Sequence, residues 1–78
     1  MPYIPPESRD YAQAHPSTPG ELNYAITAMV LRYVDAASPS YALLNEVIGA
    51  LECVKQEFYR RLVVPYEDLK IKENGDVY

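Results

Sequence analysis

Two adjacent guanidiniums, Arg60 and Arg61, close a long apolar-periodic stretch, with Tyr59 just before them and Tyr66 shortly after. Arginine's planar donor fork fits a phosphate or carboxylate bidentately. A tyrosine ring offers a stacking face together with a hydroxyl for a polar partner. The combination suits an anionic, nucleotide-like small molecule. Neighbouring residues on a helix point about 100° apart, since a turn holds ~3.6 residues. One arginine can therefore pair with Glu57 while the other reaches outward. The plainer alternative is that both complement the negative end of the helix dipole. Tyr24 lies off the main apolar seam of its helix, and Asn23 and Asn45 are amides able to read polar edges. The candidate ligand-binding set is Arg60, Arg61, Tyr59, Tyr66, Tyr24, Asn23 and Asn45.

Catalytic signatures are missing from the same inventory. The sequence holds no Gly-rich phosphate loop, no H-E-x-x-H and no G-x-S-x-G. Cys53 and His15 are the only cysteine and histidine, too few for a zinc site or for a disulfide within the chain. Cys53 reads as a small buried hydrophobe rather than a nucleophile, because no base stands near it in sequence. No catalytic residue, metal or cofactor is expected, and the chain reads as non-enzymatic. A net charge of -4 disfavours general nucleic-acid binding. No apolar run approaches the ~18 residues of a membrane span. The opening MPYIPPESRD lacks the basic and apolar regions of a signal peptide. A cytoplasmic location is the expectation.

The elements that must position these residues are mainly helical. Residues 1–17 read as an extended, proline-rich arm, with Pro2, Pro5 and Pro6 around Tyr3 and Ile4. The arm reads as a loose terminus, with docking of Tyr3 and Ile4 on a neighbouring subunit as the sharper alternative. Within it, residues 8–14 suit a short helix capped by Ser8 and ended by His15-Pro16. Residues 18–64 form a core of two helices, about 19–37 and 39–63. Thr18 and Glu21 have capping-box spacing, with Pro19 at the first helical position. Leu22, Ala25, Ile26, Met29, Val30 and Tyr33 then follow the period of one buried face. Tyr24 and Leu31 lie off that face, a hint that a second surface is covered. The helix should end near Ala37.

Ser38 and Pro39 repeat the start signal, and Leu44, Val47, Ile48, Leu51, Val54, Phe58 and Leu62 continue the helical period. The short connection predicts an antiparallel helical hairpin. Gly49, Ala42, Ala50 and Cys53 make a small-residue patch suited to a close helix crossing. Pro65 should stop the second helix. Residues 65–78 then read as a short tail or, through Asn74-Gly75, a small hairpin.

A chain of 78 residues without a disulfide or metal staple has a marginal core of its own. Eight tyrosines against one phenylalanine and no tryptophan also suit interfaces. The expected fold class is all-α, mainly a helical hairpin that packs as a homo-oligomeric helical bundle, a dimer or higher.

The strings YIPPESR, GELNYAIT at 20–27, LNEVIGALECVKQEFYRR at 44–61 and PYEDLKIKENGDVY at 65–78 resemble a family of small proteins of unknown function carried by phages, prophages and bacteria. The resemblance covers most of the chain and brings no catalytic residues. It implies an accessory role: a sponge that sequesters a nucleotide signal in counter-defence, or a factor that binds and inhibits a host protein.

Overall fold

The computed structural model describes residues 1–35 and 38–78 of the chain, and they fall into two compact units, Met1–Leu44 and Asn45–Tyr78. Helices dominate both, and no strand occurs among the described residues. None of these helices is long and apolar enough to cross a membrane.

In the amino-terminal unit, a 3-10 turn at Pro6–Ser8 leads into α1, Arg9–Ala14, and α2 follows at Pro19–Asp35. Ser8 precedes α1 as expected but makes no side-chain capping bond. His15 ends α1, its N–H reaching back to the Tyr11 carbonyl at 2.9 Å. The start of α2 is a capping box with one change. The Glu21 N–H donates to Thr18 Oγ1 at 3.1 Å, while the Glu21 carboxylate accepts from the N–H and hydroxyl of Ser17, at 3.0 and 2.9 Å. Asp35 is the last described residue of α2, and the expected end at Ala37 lies outside the described residues.

The arm is not a loose end. Ile4 is 9% exposed, and with Ala12 at 1% it forms the buried core. The arm lies on the start of α2 at Gly20, where a Cβ would meet Ile4 Cγ2 at 3.4 Å and the Met1 carbonyl at 3.5 Å, ordinary contact distances. Arg9 ties the arm down, donating from Nε to the Ile4 carbonyl at 3.2 Å while its guanidinium lies 5.7 Å from the Tyr24 ring centroid. Such a cation–π contact also shields the ring from water. Arg32 joins α2 to α1 through Gln13 at 2.7 Å. Ile4 thus docks on this chain's own α2, while Tyr3 is exposed. α1 lies against α2, with Tyr24 and Ala28 half-buried, whereas Leu22, Ile26, Met29 and Tyr33 stay exposed. Of the face expected to be buried, these four are exposed and Ala25 and Val30 are half-buried. Leu31 is exposed as well, so only the Tyr24 half of the second surface is covered.

The next helix, α3, spans Tyr41–Phe58. Its cap is Ser40 rather than Ser38: Ser40 Oγ accepts from the Leu43 N–H at 3.1 Å, the usual first-turn geometry. The largest departure from expectation comes at the far end, in the carboxy-terminal unit. Pro65 does not stop the helix. α3 passes directly into a π turn, Tyr59–Val63, and then into α4, Val64–Asn74. Proline lacks an N–H, and its ring clashes with the carbonyl four residues back in a straight α-helix. The π turn relieves this by widening the backbone just before it, and the Val64 N–H bonds the Tyr59 carbonyl, five residues back. The expected tail or small hairpin at 65–78 is consequently mostly helix. Gly75, at φ 91°, ends α4 instead of turning a hairpin, and its N–H donates to the Ile71 carbonyl at 2.8 Å.

Candidate functional site

Tyr59, Arg60 and Arg61 all sit in the π turn. Glu57, in the last turn of α3, holds both guanidiniums: Arg60 Nη2 lies 2.6 Å and Arg61 Nη1 3.5 Å from the same oxygen, Glu57 Oε1. Both arginines therefore pair with Glu57, Arg60 the more tightly, where one was expected to pair and the other to reach outward. The two guanidiniums thus share one carboxylate oxygen. All three side chains are more than half exposed, so these pairs contribute little to stability.

Tyr59 has a partner across the turn. Its hydroxyl donates to Glu67 Oε1 at 2.8 Å, across the π turn. Residues eight apart on a straight α-helix lie about 80° apart around the axis, at ~3.6 residues per turn. A π residue turns the chain by less, which brings Glu67 toward the face of Tyr59. That hydrogen bond to the carboxylate, and the carboxylate's negative charge, raise the Tyr59 phenol above its ordinary pKa. Tyr66 follows on α4, where the Lys70 ammonium lies 5.6 Å from its ring centroid and also pairs with Glu73 at 3.2 Å. Asn45 is exposed on α3.

Asn23 and Tyr24 belong to the amino-terminal unit. Asn23 Oδ1 accepts from the Thr27 hydroxyl at 3.2 Å, and Tyr24 is the ring against Arg9. Asn23 also lines a shallow apolar cleft on α2 with Pro19, Leu22 and Ile26. A second shallow cleft, in the other unit, is lined by Glu67, Lys70, Ile71 and residues 74–78 and includes neither arginine. The structure therefore gathers Tyr59, Arg60 and Arg61, with Glu57 and Glu67 as their partners, and puts Asn23 and Tyr24 to structural and cleft-lining use in their own unit.

Two residues of the small-residue patch behave differently from expectation. Cys53 is exposed rather than buried. A Cβ on Gly49 would meet nothing within 4 Å among the described residues. Elsewhere on α3, Glu52 pairs with Lys55 at 3.4 Å and accepts from Gln56 at 3.2 Å. The Gln56 hydrogen bond and the Lys55 charge hold the Glu52 carboxyl below its ordinary pKa.

Glu67 and Arg9 were missed as site-shaping residues from sequence. A Tyr–Glu pair eight residues apart has no helical-surface signature, because the π turn that joins them is itself unexpected. Arg9 reaches Tyr24 through packing that no local period encodes.

A family model described as a domain of unknown function (DUF6899) matches residues 1–77. The chain belongs to that family. Neither a curated protein nor a solved structure matches it.

Proposed function

We propose that this member of the DUF6899 family is a non-enzymatic binding protein. It would act as a homo-oligomeric helical bundle that presents Arg60 and Arg61 to an anionic, nucleotide-like small molecule. The observation that carries the reading is the shared carboxylate: two guanidiniums lie against one oxygen of Glu57 on an exposed turn, so neither has a carboxylate to itself. An incoming phosphate can take either arginine from Glu57 at small cost, since exposed pairs are worth ~0–1 kcal/mol.

Self-association is supported by the exposed stripe of Leu44, Ile48, Leu51, Val54, Phe58 and Leu62, which ends at this turn. Pairing of α2 and α3 as an antiparallel hairpin, doubled into a four-helix bundle, would cover the stripe and repeat the arginine turn symmetrically. In the phage-type setting that the resemblance implies, such an assembly would sequester a nucleotide signal in the host cytoplasm.

The test is ligand binding by native mass spectrometry against a panel of cyclic nucleotides and ADP-ribose-type molecules. Arg60→Ala and Arg61→Ala should each weaken binding by tenfold or more while leaving the oligomer intact. Binding unaffected by both changes would overturn the reading.

A second reading, an accessory factor that binds and inhibits a host protein, draws on the same exposed stripe with Tyr41 and Tyr66 beside it. It predicts no ligand mass and a stable complex with one host protein. Substituting Phe58→Glu should abolish that complex.

A further inference from the structure

A proline inside a helix leaves two outcomes, a break or a local change of register. Here the helix takes the second, and a side-chain contact spans the place where it does so. Tyr59 Oη, on the first residue of the π turn, lies 2.8 Å from Oε1 of Glu67, two residues past Pro65. The Val64 N–H bonds the Tyr59 carbonyl rather than the Arg60 carbonyl, its α-helical acceptor.

We infer that the Tyr59–Glu67 hydrogen bond is a clasp that holds this helix in the π register, and so sets the direction in which Arg60 and Arg61 are presented. The clasp ties the end of α3 to the first turn of α4. Without it, Pro65 alone decides the outcome, and the turn is free to open toward a break. Arg60 and Arg61 lie inside the clasped segment, so their directions follow its backbone. Tyr59 and Glu67 are on this account positioning residues, and the ring of Tyr59 is held by its hydroxyl instead of waiting for a base. The use made of that direction rests on the anion-binding reading; the clasp acts on the backbone whatever the arginines meet.

The experiment uses isotope-labelled full-length chain in solution. Through-hydrogen-bond coupling identifies the acceptor of the Val64 amide, and hydrogen exchange measures how firmly it is held. Wild type should show coupling from Val64 to the Tyr59 carbonyl. Tyr59→Phe and Glu67→Ala should each speed Val64 exchange by about fivefold, the scale of one lost hydrogen bond. Lys70→Ala, which removes the Tyr66 and Glu73 contacts on the same helix, should leave Val64 unchanged. Equal Val64 exchange in wild type, Tyr59→Phe and Glu67→Ala would overturn the clasp, as would wild-type coupling to the Arg60 carbonyl. The readout needs no ligand, so a chain that binds no anion yet shows this pattern would count against the function alone.

Discussion

Arg60, Arg61 and Tyr59 were all legible as candidates, because guanidinium pairs and tyrosines at a helix end carry their chemistry in their type. Their partners were legible only in part. Glu57 lies at helical spacing from both arginines and was readable; Glu67 lies eight residues from Tyr59 and was not. The hydroxyl of Tyr59 donates to a carboxylate, which disfavours the phenolate. A raised folded-state pKa means that this bond contributes fully below the ordinary tyrosine value, near ~10, and is lost as pH rises through the raised one. Tyr59 should therefore titrate above the ordinary tyrosine value, as read by ring carbon shifts. Glu67→Ala should bring it down by removing both the acceptor and the charge. Titration unchanged by that substitution would contradict the geometry. Glu52 runs the opposite way. Its lowered pKa gives a contribution present above the ordinary carboxylate value and lost as pH falls through the lowered one.

At the scale of elements, α2 and α3 start close to where the sequence puts their caps. Their starts are set by hydroxyl caps, Thr18 for α2 and Ser40 for α3. Ser38-Pro39 resembled a start, but Ser40 is the residue whose Oγ meets the Leu43 amide. Residues 65–78 misled for a definite reason: Asn74-Gly75 is both a hairpin signal and a helix end. The deciding features lay nearby. Pro65 is followed by Glu67 and Asp68, then by Lys70 and Lys72, the charge order that complements a helix dipole from start to stop. Two substitutions separate the readings. Pro65→Ala should leave helical circular dichroism unchanged or slightly higher, because the proline interrupts a helix rather than ending one. A loss of helix would contradict α4's continuity with α3. Gly75→Ala should lower stability by about 1 kcal/mol, since φ of 91° is costly for any residue with a Cβ; thermal melting would read it.

The whole molecule is where the chain's apolar content outruns what it buries. Ile4 and Ala12 are its buried core among the described residues, while Leu51, Phe58, Leu62 and Leu69 stand in solvent. Helical periodicity put Leu51, Phe58 and Leu62 on one stripe, but it cannot say whether a stripe is covered by the same chain. Isolated helices are marginal in water, and most helical stability in proteins comes from packing an apolar face. Covering the α3 stripe with a second copy is the arrangement proposed here, and charged substitutions on it should prevent association. Sedimentation velocity of the purified chain at micromolar concentration, beside Leu51→Glu and Phe58→Glu, tests this most directly. A dimer or larger species in wild type, reduced to monomer by either substitution, is the expected result. A wild-type chain that sediments as a stably helical monomer would contradict the account.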